Sequence, residues 1–155
     1  MTLDDLGNLG EFLGAIAVVA SLLYLSIQVR QNTRSVRSAT AQSASETIVG
    51  MNSLIAGDRN VAELLATGAQ GAKKLDPIDQ LRFSLLVSST FINFETMLLQ
   101  NRLGLIETEF WQSRERFFLN TLLTLPGIVS WWRHNKEQFG EELRRYVDSH
   151  IQRPE

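Results

Sequence analysis

Few side chains in this sequence are spaced for chemistry. Glu95 lies in FINFETMLL, on the apolar side of a helical pattern. A carboxylate there is either an acid–base group with a raised pKa or a charge held by an arginine of a neighbouring helix. Arg114 and Arg116 are the candidate partners, and the structural ion pair is the expected arrangement. His134 and Glu137 stand one helical turn apart, and His150 is isolated. No H-x-x-x-H or E-x-x-H spacing and no carboxylate-rich array accompanies them, so no metal site is assigned. There is no cysteine, which excludes disulfides, thiolate metal sites and a Cys nucleophile. G-x-S-x-G, P-loop and dinucleotide patterns are lacking, and Gly68-Ala69-Gln70-Gly71 reads as a loop. The reading assigns no catalytic residue and no cofactor, and it leaves Glu95 as a possible buried polar site.

The elements that must position these residues are organised around Phe12–Val29. No charge falls between Glu11 and Arg30. At about 1.5 Å per residue, this run together with Leu9 and Gly10 is long enough to cross a hydrocarbon core about 30 Å thick. A cleaved signal peptide would begin with a basic segment, whereas this chain begins MTLDDLGNLGE. A buried core helix would carry a charge somewhere to mark its solvent face. The run therefore reads as a transmembrane helix. Arg30, Arg34 and Arg37 follow it, while Asp4, Asp5 and Glu11 precede it, which predicts an external N-terminus and a cytoplasmic remainder. The same arginines sit where anionic headgroups would attract them.

Within the span, Gly7, Gly10, Gly14, Ala17 and Ser21 follow steps of three and four residues. That spacing makes one small-residue stripe along which helix backbones can approach closely. The register continues through Tyr24, Gln28, Gln31, Ser35 and Ser38, with Leu13, Ile16, Leu23 and Ile27 away from it. Gln28, at the membrane edge, either bonds a neighbouring helix or reaches headgroup water.

From Arg30 to Val49 there is neither Pro nor Gly, so the span continues as a polar helix whose Ala/Ser surface needs something packed against it. Asp58 or Asn60 caps a short helix over residues 61–66, and GAQGAKK follows as a loop. Asp76, Pro77 and Asp79 supply a cap, a first-position proline and a first-turn acid. The helix they open runs to about Asn101 or Arg102, with Gly104 beyond its end. Leu81, Leu85, Ser88, Ile92, Glu95 and Leu99 share its expected core face, widened by Leu86, Phe94, Met97 and Leu98. The uncharged stretch between Arg82 and Glu95 is too short for a second crossing. Thr108 caps a helix over 109–124 that buries Phe117 and Leu122. Pro126-Gly127 opens another through Trp131 and Trp132, one expected in the core and one exposed. A last amphipathic helix carries Leu143, Tyr146, Val147 and Ile151, and the QRPE tail is expected to fray.

The expected architecture is all-α: an N-terminal transmembrane helix continuing into a long cytoplasmic helix, followed by a small helical bundle. Its divisions are a short extracytoplasmic tail (1–8), a transmembrane helix (9–29), a membrane-proximal polar helix (30–56) and a cytoplasmic helical domain (60–151). The chain has 155 residues and a net charge of −2, which fits one span plus one small domain and gives no basic field for nucleic acid.

The segments GAIAVVASLLYLSIQVRQNTR, FETMLLQNRLGLIETEFW and PGIVSWWRHNKEQFGEELRRYV resemble an uncharacterised family of small bacterial proteins. The resemblance implies a single-pass, membrane-anchored helical protein of the bacterial inner membrane; it transfers no activity and no catalytic residues. The functional expectation is a non-enzymatic interaction or scaffold protein with the lipid bilayer as one partner. It either assembles as a homo-oligomer through its span and proximal helix or serves as an accessory subunit of a larger membrane complex. The competing expectation is a membrane-tethered enzyme or ligand-binding domain with a pocket near Glu95.

Overall fold

The computed structural model describes residues 3–151 and is all-helical among them; the QRPE tail lies outside them. Helix α1 (Leu3–Gly57) contributes to two compact units, one reaching Ser38 and one beginning at Ala39. In the first unit no described residue from Gly10 to Ser38 is covered by the rest of the chain, the whole apolar run included. Its hydroxyls are satisfied within the helix: Ser21 Oγ donates to the Ala17 carbonyl and Thr33 Oγ1 to that of Val29.

The second unit begins with the remainder of α1. Here Ala41, Ala44, Ile48, Met51 and Ile55 recur at three- and four-residue steps, with Ala44 buried and the others half-buried. This row is what packs the otherwise polar helix into a core, since its intrinsic propensity alone would leave it marginal.

Helix α2 (Arg59–Gln70) is capped by Asp58, which accepts from the Asn60 N–H, and it is longer than the sequence suggests. Gly68 is helical rather than part of a loop. The reason is packing: a Cβ at Gly68 would lie 2.3 Å from the Phe83 ring, and one at Gly127 would lie 1.9 Å from the Gly68 carbonyl oxygen. Gly68 thus lets α2 seat against the Phe83 ring, and Gly127 lets the segment it begins approach α2 backbone to backbone.

Helix α3 (Pro77–Arg102) begins as its sequence predicts, with Asp76 accepting from the N–H groups of Ile78 and Asp79. It ends at a left-handed Gly104 (φ 67°), whose N–H donates to the Asn101 carbonyl. The face it buries differs from the expected one. Phe83, Val87, Phe91, Phe94, Met97 and Leu98 are in the core, while Leu81, Leu85, Ile92 and Leu99 are exposed. Both sides of this helix are apolar, so periodicity alone selects neither, and the aromatic side wins because it fills more volume.

Helix α4 (Thr108–Phe117) follows Glu107, which makes no side-chain cap, so Thr108 is its first residue rather than its cap. It passes into a π-helical turn (Phe118–Leu122), closed by the Leu123 N–H donating to the Phe118 carbonyl. This turn corrects the expected face: Phe117 is 53% exposed, Phe118 is buried and Leu122 is half-buried. Helix α5 (Pro126–Asn135) buries both tryptophans, not one. Trp131 Nε1 donates to Ser84 Oγ of α3, and Trp132 Nε1 to Asp148 of α6 (Glu141–Ile151), so neighbours on two sides cover side chains about 100° apart.

Candidate functional site

Residues of α1, α2, α3, α4, the π turn and the 125–128 segment line a partly open cavity of about 360 Å³. Volumes of about 300–1,000 Å³ are typical of small-molecule sites. Phe91, Phe94 and Phe118 form an aromatic wall, with Phe94 and Phe118 stacked at 3.7 Å and Phe91 meeting Phe118 edge-on at 5.3 Å. Ile48, Met51 and Ile55 supply an aliphatic wall from α1. The half-exposed Phe117 stands at the rim, immediately before the π turn. Such widened turns are rare and recur at functional sites.

Arg114 is the single ionisable residue lining this cavity, and no carboxylate lines it. Trp111, Arg114 and Phe118 recur at three- and four-residue steps, so the guanidinium takes an inward-facing position of α4. Its Nε is buried with no hydrogen-bond partner. Its NH2 group reaches Ser113 Oγ only at 3.5 Å, and its Cζ lies 5.5 Å from the Phe110 ring centroid. A buried, unpaired donor on a charged group is costly; Arg144 Nε is left the same way, but the Arg144 guanidinium is paired with Glu137, whereas Arg114 has no such ion pair among the described residues.

Glu95 is not at the cavity and pairs with neither Arg114 nor Arg116. Its Oε1 accepts from the Gly140 N–H at 2.7 Å, at the start of α6. A carboxylate there completes the exposed N–H set of a helix start and sits at its positive end, so Glu95 serves as a cap supplied by α3. The ion pair expected with Arg114 or Arg116 is not formed; what the structure gives Glu95 is this cap.

Two polar clips fasten α6. Asp148 accepts from Trp132 Nε1 at 2.8 Å and from Lys136 Nζ at 2.6 Å. Burial pushes its carboxyl up, but the Lys136 and Trp132 hydrogen bonds and the Lys136 and Arg144 charges outweigh it and hold it below the ordinary range. Tyr146 donates its hydroxyl to Glu115 of α4, and burial followed by that hydrogen bond and charge pushes the phenol well above its usual range. His134 and His150 each place Nδ1 2.7 Å from a carbonyl four residues back. Among the described residues, no three His, Asp or Glu side chains converge as metal ligands.

In the first unit, nothing lies within 4 Å of a Cβ built on Gly7, Gly10 or Gly14. Ala17 and Ser21 continue that open row, and Gln28 Nε2 donates to Tyr24 Oη within the helix. Arg30, Arg34 and Arg37 are exposed on the same helix. The sequence offered Arg114 only as a partner for Glu95 and did not place it in a cavity; the Trp111/Arg114/Phe118 spacing, which sets an arginine among inward aromatics, was the available signal. Comparison with protein-family models, curated proteins and solved structures finds no match.

Proposed function

We propose that this chain is a membrane-anchored, non-enzymatic interaction protein that crosses the bacterial inner membrane once and associates with copies of itself. The observation that carries the reading is the uncovered apolar run of α1, none of which the rest of the chain buries. A water-soluble protein exposing so long an apolar surface would aggregate, whereas lipid solvates it. Asp4, Asp5 and Glu11 before the run, and Arg30, Arg34 and Arg37 after it, favour an external N-terminus and a cytoplasmic domain.

Two further features favour association. The Gly7/Gly10/Gly14/Ala17/Ser21 row is open, and its one hydroxyl is satisfied internally, so close backbone packing rather than hydrogen bonding would drive the contact. On α3, Leu81, Leu85, Ile92 and Leu99 form a second open row at heptad-compatible spacing, the kind of seam that pairs with its own copy about a two-fold axis. A catalytic role is disfavoured because the cavity holds one ionisable group, and acid–base chemistry uses at least a matched pair or a nucleophile with its base.

The test is single-molecule counting in membranes with matched expression. Wild type should be oligomeric. Gly14→Leu should reduce association, because it adds side-chain volume where backbones meet and clashes with nothing in its own chain. Leu23→Ala, on the lipid-facing side, should change nothing. Equal association by all three would refute the packing face, and stoichiometric capture of one different membrane subunit would replace self-assembly with the accessory-subunit reading.

A further inference from the structure

We propose that the cavity of the helical domain binds a single-chain anionic amphiphile, a fatty acid or its phosphate analogue, with Arg114 holding the headgroup. The inference does not depend on the anchoring or association proposed above. Three observations of different kinds meet at this cavity. Its walls are hydrocarbon and aromatic, and its volume of about 360 Å³ lies at the lower end for small-molecule sites, suiting one chain rather than a two-chain lipid. Of its uncharged polar lining, Thr47 Oγ1 and Thr90 Oγ1 donate to carbonyls of their own helices, and Asn52 and Asn93 add neutral amides that could hydrogen-bond a headgroup but cannot balance a charge. The one charged group is a cation without an anion. Arg114 has a buried, unpartnered Nε, no carboxylate lines the cavity beside it, and it makes no salt bridge among the described residues.

A hydrocarbon ligand without a headgroup would leave that guanidinium unpaired, and a hydrophilic anion would leave the apolar walls wet. An amphiphile satisfies both. The planar guanidinium fork matches a carboxylate or a phosphate edge, so both headgroups share the recognising chemistry. The half-exposed Phe117 at the rim borders the open side of the cavity and gives the chain a route in.

The experiment uses the full chain in nanodiscs of zwitterionic lipid, since alkyl detergents would compete for the site. Photoactivatable dodecanoate, with its diazirine at the chain end, is irradiated and its adducts are mapped by mass spectrometry. Adducts should fall on cavity residues such as Met51, Leu86 or Phe118. Dodecanoate and dodecyl phosphate should both compete, their order identifying the preferred headgroup, and dodecanol should compete far less. Arg114→Met should weaken binding about 10- to 100-fold, the loss expected for a charge-assisted hydrogen bond. Arg114→Lys should retain part of it. Met51→Trp, which fills the aliphatic wall, should abolish cavity adducts even if Arg114→Met fails to fold. Adducts confined to the α1 span, equal competition by dodecanol, or undiminished labelling of both the Arg114→Met and Met51→Trp variants would overturn the proposal.

Discussion

Replacing Phe118 with alanine should destabilise the helical domain far more than the same change at Phe117, although the two residues are adjacent and chemically identical. Phe118 keeps 3% of its exposure, stacks on Phe94 at 3.7 Å and meets Phe91 edge-on at 5.3 Å. Buried Phe→Ala changes cost about 3–5 kcal/mol, including the void they leave. Here the void would merge with an existing cavity that water or a ligand can enter, so the lower part of that range, about 3–4 kcal/mol, applies. Phe117 keeps 53% of its exposure, and half of a full phenylalanine burial is about 1 kcal/mol. At about 4 °C per kcal/mol for a domain of roughly a hundred residues, the expected Tm losses are roughly 12–16 °C for Phe118→Ala and about 4 °C for Phe117→Ala. Near-UV circular dichroism of the full chain in nanodiscs follows the packing of the tryptophans through the transition. Equal losses, or a larger loss for Phe117→Ala, would refute the register that the π turn imposes.

Gly127→Ala should abolish the cooperative transition or lower it strongly, because the new methyl meets the Gly68 carbonyl, which cannot move as a side chain would; a parent-like melt would contradict the close approach of α2 and α5. Glu95→Ala should cost about 1 kcal/mol, as loss of a helix cap does, while Glu95→Gln, which keeps an acceptor for the Gly140 N–H, should cost less. Equal losses for the two variants would indicate that the charge, not the acceptor, matters. The lowered pKa of Asp148 makes its contribution fully present above the ordinary carboxylate pKa of about 4 and lost as the pH falls through its native value. Tm should therefore decline on acidification below about pH 4, and Asp148→Asn should flatten that decline; an unchanged slope would remove Asp148 as its source.

Local signals were the legible part of this fold. Asp58, Asp76-Pro77, Gly104 and Pro126 mark helix ends because each acts through its own backbone neighbours, and the structure finds the element ends there. Faces were harder. The α3 pattern offers two apolar sides, and Leu81, Leu85, Ile92 and Leu99 are the periodic row but Phe83, Val87, Phe91 and Phe94 are the filled one. The π turn at Phe118–Leu122 shifts the register by a residue without any Gly or Pro to announce it. Trp131 and Trp132 are both buried because α5 is flanked on two sides, a tertiary fact that no window of sequence contains. Arg114 was visible only as a possible partner of Glu95, whose carboxylate instead found a backbone N–H on a distant segment.

The most direct test of the central claim is labelling by a membrane-impermeant maleimide in intact bacterial cells, made clean by the absence of native cysteine. Single cysteines are introduced at Asn8, before the apolar run, and at Ser149, exposed on α6. The account predicts a chain found only in the membrane fraction, with Asn8→Cys labelled in intact cells and Ser149→Cys labelled only after permeabilisation. Labelling of Ser149→Cys in intact cells, or recovery of the chain in the soluble fraction, would contradict it.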